Sequence, residues 1–353
     1  AAPAVQAEPS PASMFTYEDV DGGVAITGFK TDDASFTSNV VIPPTIDGKT
    51  VVSLKNNNSR ACMTGADQIT SLDTSLCTSL SIGDYAFLNC KGITYVNLSS
   101  CTSIGNYAFM GCSGITKVTW STSIDTIPTG CFYDCTSLKT FNSEIDGVFK
   151  LSGITSIGDK AFYGCTGIAF VDLSGCTSIG EQAFSYCSGI TSVDLSSCTD
   201  IGQYAFSYCS GITKVTWPSS ITTIPAGCFG YCTSLNTFNS DTEGVFNLSG
   251  ITSFEFGAFQ SCTGITGSVE LPDCTSIGQQ AFIRCFNLKP IISTKATTVG
   301  EGAFRNCPYV TIQADSEAAL ASYCSGIADS DNLKGLSEYN VKKVAEIPGV
   351  TDT

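Results

Sequence analysis

The sequence contains no histidine, and this absence removes several kinds of chemistry at once. Histidine is the commonest general base near neutral pH and the commonest protein ligand of zinc. Hydrolases that use a Ser-His-Asp or Cys-His arrangement are therefore excluded within these 353 residues. We predict that the chain is not an enzyme, with no catalytic residues, no metal ligands and no cofactor.

Positive charge is also scarce, with 17 Lys and Arg against 32 Asp and Glu and a net charge of −15. This balance opposes the attraction to phosphates on which nucleic-acid-binding proteins depend, and it opposes docking on anionic membranes. No apolar run approaches the roughly 18 residues that a membrane-spanning helix needs. We expect no nucleic-acid partner and no membrane insertion by this chain.

One phrase recurs along the chain: Ile-Gly-x-x-Ala-Phe-x-x-Cys-x-x-Ile-x-x-Val-x-Leu. Its copies, some of them degenerate, begin at Ile82, Ile104, Ile127, Ile157, Ile179, Ile201, Ile224, Phe254, Ile277 and Val299. Most steps between copies are 22 or 23 residues, and two steps are 30. This period is typical of leucine-rich repeats and unlike the periods of helical-pair or propeller repeats.

Each repeat has two parts with different patterns. In residues 93–98 apolar and polar residues alternate, which is typical of a half-buried strand. In residues 83–90 an Ala-Phe pair lies between turn-forming residues and is too short for a stable helix. We predict a leucine-rich-repeat solenoid that coils right-handedly, with short parallel β-strands on the concave face and irregular or 3₁₀ turns on the convex face.

A higher order of duplication divides the chain into predicted domains. Residues 82–178 match residues 179–275 almost coil for coil. Trp120 and Trp217 occupy equivalent positions in the two blocks, where each replaces a strand Leu, so we expect both in the core. The long coils insert residues near 143–150 and 240–247, where Asp-Gly and Glu-Gly favour hairpin-like protrusions.

The remaining segments are assigned by position and composition. The predicted organisation is 1–14, a linker after a removed signal peptide; 15–81, an N-terminal cap with degenerate first repeats; 82–312, the repeats; and 313–353, a C-terminal cap and tail. Within the first cap, strands are predicted near 15–17, 24–27 and 40–43, with turns at 21–23 and 47–48. A short helix is predicted at 315–322.

The repeat phrase resembles that of the BspA-type leucine-rich-repeat family of bacterial and protozoan surface proteins. The opening segment, with Phe15-Thr16-Tyr17-Glu18 and Ile46-Asp47-Gly48, is similar to that family's entry into its repeats. The resemblance covers roughly residues 15–312. It implies surface display and, in some members, adhesion to host matrix proteins or to other cells, and it supplies no catalytic residues.

Nineteen cysteines occur, and ten of them occupy one repeat position, including Cys90, Cys112 and Cys165. Stacked coils place equivalent Cα atoms about 4.8 Å apart, but parallel side chains leave the Cβ atoms equally far apart, beyond the roughly 3.8 Å of a relaxed disulfide. We therefore expect buried thiols that act as small apolar residues rather than a disulfide ladder or a metal site.

The outward strand positions form a mostly short, polar column in which Tyr95 and Phe170 are the aromatic residues. The candidate ligand-binding residues are Tyr95, Asn97, Lys117, Phe170, Asp172, Asp194 and Lys214. The full column is Tyr95, Asn97, Lys117, Thr119, Thr140, Asn142, Phe170, Asp172, Ser192, Asp194, Lys214, Thr216, Thr237, Asn239, Ser268 and Glu270.

The aromatic and acidic members of this column have alternative interpretations. Isolated aromatic residues on a sheet also pack on their neighbours without binding anything. Asp172 and Asp194 are expected to stack, either as solvated carboxylates or as a pair that Ca²⁺ neutralises. Their separation is compatible with glycosidase chemistry, but an open sheet provides no cleft.

These features favour an exported, secreted or cell-surface, adhesin-like binding protein whose partner is an extracellular protein or glycan. The alternative is a non-catalytic structural spacer of the cell envelope. A solenoid of ten to twelve coils spaced by about 4.8 Å would span roughly 50 to 60 Å.

Overall fold

The computed structural model describes residues 8–55, 62–314, 318–323, 336 and 341–345. It places the chain in two compact units, Ala1–Cys187 and Ser188–Thr353. Each unit is a β-solenoid built mainly from short parallel strands. Among the described residues, α-helix occurs only at 318–323 and at residue 336.

Unit 1 begins with an antiparallel cap and continues as parallel coils. Its described strands are Phe15–Val20 (β1), Gly23–Phe29 (β2), Asn39–Val41 (β3), Thr45–Ile46 (β4), Lys49–Leu54 (β5), Ser71–Asp73 (β6), Leu80–Ile82 (β7), Tyr95–Asn97 (β8), Cys101–Ile104 (β9), Lys117–Thr119 (β10), Thr126–Ile127 (β11), Thr140–Phe141 (β12), Ser156–Ile157 (β13) and Ser178–Ile179 (β14). Two 3₁₀ helices span Ala12–Met14 and Ala66–Gln68.

The strands of unit 1 form three sheets. One has the order β1-β2-β5-β7-β9 with β4 beside β5, a second has the order β3-β6-β8-β10-β12, and a third joins β11, β13 and β14. The antiparallel pairs are β1 with β2 and β4 with β5, and the other pairs are parallel. Sequence-adjacent coils therefore lie side by side, as expected of a solenoid in which each repeat contacts its neighbours.

Unit 2 repeats this arrangement. Its described strands are Ser192–Asp194 (β15), Asp200–Ile201 (β16), Lys214–Thr216 (β17), Thr223–Ile224 (β18), Thr237–Phe238 (β19), Ser253–Phe254 (β20), Gly267–Leu271 (β21), Ser276–Ile277 (β22), Leu288–Ser293 (β23), Thr298–Val299 (β24), Val310–Ala314 (β25) and Val341–Ala345 (β26). Its sheets have the orders β15-β17-β19, β18-β20-β22-β24 and β21-β23-β25-β26.

The core of each unit is a column of phenylalanine rings contributed by the Ala-Phe phrase. In unit 1 Phe87, Phe109, Phe132, Phe162 and Phe184 stack with centroids 5.1 to 5.7 Å apart, and all are fully buried. Unit 2 stacks equivalent phenylalanine rings in the same way. Truncating a buried Phe to Ala typically costs about 3–5 kcal/mol, so this column is a major source of stability.

The Ala-Phe segments are irregular turns, as predicted. Backbone N–H groups in these turns bond to carbonyls three residues earlier, as from Cys90 to Phe87, in the manner of a 3₁₀ turn. Other N–H groups in the same turn reach the next coil, as from Phe87 to Ala108 at 2.8 Å. Hydrogen bonds between coils therefore continue through the turns as well as the strands.

A second strand column was missed by the sequence interpretation. The first residue of most phrases and the residue before it form a separate two-residue strand. Examples are β11, β13 and β14, which are paired in register from Thr126 to Ser178. Two residues are too few to show an alternating pattern, so periodicity gave no signal for this sheet.

The cap strands predicted near 15–17, 24–27 and 40–43 are present as β1, β2 and β3. The linker prediction was wrong for residues 10–14. Ser10 is buried and bonds to Val41 through both its backbone N–H and its side-chain oxygen, and Met14 is fully buried. The predicted helix is present at 318–322, whereas its first three residues, 315–317, and most of the predicted tail fall outside the described residues.

Candidate binding surface

Three of the predicted site residues lie together on neighbouring strands of unit 1. Register pairs Tyr95 with Lys117 and Asn97 with Thr119 across β8 and β10. The Lys117 Nζ atom lies 5.8 Å from the centroid of the Tyr95 ring, and the Tyr95 hydroxyl lies 3.4 Å from the Thr119 Oγ1 atom. The structure therefore forms a patch of one aromatic, one amide and one cationic side chain.

Lysine side chains of this face also hold the protrusions. Lys117 Nζ lies 2.8 Å from a Glu144 carboxylate oxygen in unit 1, and Lys214 Nζ lies 3.0 Å from an Asp241 oxygen in unit 2. Glu144 and Asp241 are exposed, so each ion pair contributes at most about 1 kcal/mol. Any ligand that binds these lysines must compete with the protrusions.

The amide and carboxylates of the predicted site turn the chain after each strand. The side-chain oxygens of Asn97, Asp172 and Asp194 each accept the backbone N–H two residues later, at 3.0 to 3.1 Å. Such Asx turns are a common local use of Asn and Asp. Asp172 belongs to unit 1 and Asp194 to unit 2, so their predicted pairing stays a prediction. Among the described residues no cluster of three or more potential metal ligands occurs.

Phe170 is the most open aromatic of the predicted site, with 52% of its surface exposed. It lies just before the isolated bridge between Lys150 and Asp172, and no regular strand forms at residues 168–171. In the described part of the chain no ring contact joins Phe170 to another aromatic residue. About half of the Phe170 surface is therefore accessible to a partner.

The prediction that Thr140 and Thr237 point outward was wrong, because both are buried. Each hydroxyl oxygen accepts a backbone N–H from the protrusion that follows it, Gly147 at 2.9 Å and Gly244 at 3.0 Å. The protrusions fold back over these threonines and remove them from the surface.

The protrusions are not hairpins. In each, the chain makes a tight loop and returns parallel to the strand it left, so that Phe141 bridges Phe149 and Phe238 bridges Phe246. The loop of unit 1 exposes 67% of Ile145. Hydrogen bonds from Lys139 and Thr140 hold the pKa of the Asp146 carboxyl in this loop below its usual range.

The sequence interpretation also missed a row of tyrosines on the turns. In unit 1 the rings of Tyr133 and Tyr163 stack 4.5 Å apart, and Tyr186 follows at 5.1 Å. In unit 2 Tyr208 and Tyr231 stack at 4.2 Å. Stacked rings cover each other's faces and present edges and hydroxyl groups, which suits hydrogen bonding better than ring stacking with a ligand. The signal in the sequence was a Tyr one or two residues after the repeat Phe.

The described cysteines are thiols, and nearly all of them are buried. The sequence predicted apolar filling, but these thiols also donate hydrogen bonds between coils. The Sγ atom of Cys165 lies 3.1 Å from the Phe132 carbonyl oxygen, and Cys262 reaches Phe229 at 3.0 Å. Burial raises the pKa of the Cys165 thiol well above its usual value, so the group stays protonated and able to donate.

Short parallel strands, one repeat per coil and a phenylalanine column define a leucine-rich-repeat solenoid. A sequence model of the BspA type leucine rich repeat region matches residues 59–146, 142–247 and 240–316. These matches cover well over half of the chain, which therefore belongs to the BspA-type leucine-rich-repeat family. No curated protein matches the sequence.

Solved structures of bacterial leucine-rich-repeat proteins are similar to this chain. A repeat protein of T. pallidum is 21% identical, with 73% of this chain and 91% of that one covered and a TM-score of 0.38. A repeat protein of Bacteroides ovatus is 19% identical, with 94% and 98% covered and a TM-score of 0.34. A leucine rich cell surface protein of Faecalibacterium prausnitzii is 20% identical, with 83% and 96% covered and a TM-score of 0.38.

Helices of the described residues are all too short to cross a membrane as an apolar span.

Proposed function

We propose that the chain is an exported, adhesin-like binding protein that acts at the cell surface or after secretion. It recognises an extracellular protein or glycan through its repeat surface. Membership of the BspA-type family supports this proposal, because the resemblance implies surface display and, in some members, adhesion. The acidic net charge of −15 directs the choice of partner away from nucleic acids.

The proposal rests mainly on an exposed apolar side chain, Ile145, which lies on a loop that contacts with the neighbouring strands hold in place. Ile145 is 67% exposed at the end of the first protrusion. The loop beneath it is fixed by the Lys117–Glu144 ion pair and by the Thr140 hydroxyl. In unit 2, Val245 is 43% exposed on the corresponding loop. Binding residues are commonly carried on loops that a rigid scaffold positions.

The patch around Tyr95 and the open ring of Phe170 extend the proposed contact surface in unit 1. Aromatic residues are favoured anchors of protein interfaces, because each buries a large area with few rotatable bonds. Tyr95 and Lys117 lie on paired strands that inter-coil hydrogen bonds hold, so little backbone entropy is lost there when a partner binds.

The test is binding of the purified chain to an array of extracellular-matrix proteins and glycans. We expect a saturable hit that Ile145→Ser, Tyr95→Ala or Phe170→Ala weakens about fivefold or more, the usual effect of losing an interface anchor. Phe286→Ser is a matched control, because Phe286 is 53% exposed and lies outside the proposed surface. Equal weakening by the control, or a blank array, would count against the proposal.

A rigid spacer of the cell envelope is the second candidate, favoured by the phenylalanine column within each unit. In that case the partners are domains of the organism's own envelope proteins. Capture of envelope proteins from the organism's own envelope fraction, together with no binding to the matrix and glycan array, would favour the spacer function.

A further inference from the structure

The two units use the same insertion differently. In unit 1 the chain that returns from the protrusion, residues 149–151, pairs with the backbone of residue 172 as an additional short strand-like segment. The Asp172 N–H donates to the Phe149 carbonyl at 3.0 Å, and the Leu151 N–H donates to the Asp172 carbonyl at 3.2 Å. Lys150 is the residue that bridges Asp172 in parallel register. The strand edge at Asp172 is therefore filled by the chain itself.

In unit 2 only the first half of this arrangement forms. Phe246 bridges Phe238, and the Asn247 N–H donates to the Phe238 carbonyl at 2.9 Å. No backbone hydrogen bond then joins residues 246–248 to Glu270 in this fully described segment. A groove of about 380 Å³ lies there instead, between residues 244–249 and residues 266–270.

One additional residue accounts for the difference. Two residues separate Ile168 from Val171 in unit 1, whereas three separate Ile265 from Val269 in unit 2. The extra length is taken up at Gly267, whose φ of +77° is a conformation that favours glycine. β21 then pairs with β23 along all five of its residues.

The backbone pattern shows which groups face the groove. The Gly267 N–H donates to the Asn287 carbonyl at the start of the parallel ladder with β23. Successive residues of a strand direct their backbone groups to opposite edges. Gly267, Val269 and Leu271 therefore bond to β23, and Ser268 and Glu270 present their N–H and C=O groups to the groove.

The filled edge in unit 1 indicates what chemistry fits the open edge in unit 2. There the occupant is an extended segment, Phe149-Lys150-Leu151, with its lysine beside Asp172. Glu270 corresponds to Asp172 and is exposed. Within the described residues Glu270 takes part in no ion pair. An exposed Val245 side chain offers an apolar contact on the opposite wall.

We propose that the open edge of β21 is a docking site for an extended, lysine-containing peptide segment of a partner protein. The segment adds to β21 as a parallel strand, exchanges two hydrogen bonds with the Glu270 backbone and places its lysine beside the Glu270 carboxylate. Strand addition at a free sheet edge is a recurrent mode of peptide recognition. The inference rests on the proposed binding function and specifies one kind of partner.

The probe is the hexapeptide acetyl-Gly-Val-Phe-Lys-Leu-Ser-amide, which copies residues 147–152 and carries a fluorescent label. Fluorescence anisotropy with the full chain should show saturable binding. Replacing the peptide lysine by glutamate, or Glu270→Gln in the protein, should weaken binding about two- to fivefold, as expected for an exposed ion pair. N-methylation of the peptide leucine removes one strand hydrogen bond and should weaken it about two- to tenfold.

Two further variants separate the groove from general stickiness. Deletion of Gly267 combined with Asn247→Lys recreates the unit 1 sequence pattern, and this variant should close the groove and lose peptide binding. Glu301→Gln is the matched control, because Glu301 is an exposed glutamate of the same unit that does not line the groove, and it should bind the peptide like the parent chain. Circular dichroism checks that each variant is folded.

Binding that survives the Gly267 deletion in a folded variant overturns the assignment, as does absence of binding to the parent chain. Equal weakening by Glu301→Gln and Glu270→Gln also overturns it. A hit on the matrix array with no binding of the hexapeptide removes the groove proposal and leaves the binding function intact. Hexapeptide binding without any binding to the matrix and glycan array supports the docking site at β21 and contradicts the adhesin proposal.

Discussion

Replacing Cys165 by serine is expected to destabilise the protein less than replacing it by alanine. The Cys165 Sγ atom lies 3.1 Å from the Phe132 carbonyl oxygen of the preceding coil. A serine hydroxyl at this position keeps a donor for that carbonyl, whereas alanine removes it. If the thiol were only an apolar filler, serine would be the worse replacement, because it would bury a hydroxyl with no partner.

The size of the effect follows from two terms. Cys165→Ala removes a buried sulfur, comparable to one methylene group at about 0.8 kcal/mol. It also removes one hydrogen bond, worth about 0.5–1.5 kcal/mol net. The Phe132 carbonyl retains its bond from the Cys135 N–H at 3.1 Å, so it is not left without a partner. We expect a loss of about 1.3–2.3 kcal/mol for alanine and about 1 kcal/mol for serine.

Cys131 is the matched control in a neighbouring position of the preceding coil. It is fully buried, and its thiol donates to no acceptor among the described residues; burial alone raises its pKa. At Cys131 alanine should therefore be tolerated better than serine, by about 1–3 kcal/mol.

The assay is urea denaturation of the four single variants, followed by circular dichroism and compared with the parent chain. The account predicts opposite orders of alanine and serine at positions 165 and 131. Serine more destabilising than alanine at both positions would refute the hydrogen-bond role of the thiol and restore the simpler apolar interpretation.

Three further outcomes are expected. Thr140→Val removes the hydroxyl that accepts the Gly147 N–H and should raise the rate of proteolysis at residues 143–150, whereas Thr140→Ser keeps a hydroxyl there and should not. Mass spectrometry of the fragments measures the difference. Gly130→Ala should destabilise the chain by about 2 kcal/mol or more, because φ is +58° and an added Cβ would lie 2.1 Å from the Tyr107 ring; Tyr107→Ala should recover part of the loss in thermal denaturation. Burial raises the pKa of the Cys165 thiol above the usual value of 9.0, so above that pH the thiol ionises more readily in the unfolded chain than in the folded one. The free energy of unfolding should therefore decrease as the pH rises above 9.0. Urea denaturation midpoints should fall in this range, and they should fall less in Cys165→Ala.

The repeat period and the core positions were predictable from the sequence. Ile-Gly-x-x-Ala-Phe recurs often enough that Phe87 and its equivalents could be assigned to the interior, and Trp120 and Trp217 are buried as expected. The strand at 95–97 was visible because apolar and polar residues alternate there. These features depend on local pattern, which a sequence records directly.

Features that depend on contacts between coils were not predictable. The burial of Thr140 arises from a loop that returns parallel to its strand, and Asp-Gly pointed to a hairpin instead. The thiol-to-carbonyl bonds between coils need a spatial neighbour 25 to 33 residues away in sequence. The groove beside Glu270 arises from a single extra residue near Gly267, which lengthens the step between copies only from 22 to 23 residues, within the ordinary variation of the repeat.

Adhesion by cells that display the chain tests the proposed function most directly. A non-adherent bacterium displaying the parent chain should gain attachment to at least one immobilised matrix protein or glycan surface, and the purified chain should compete for that attachment. Ile145→Ser and Tyr95→Ala should reduce it, and Phe286→Ser should not. Display at equal density without attachment to any surface would contradict the account.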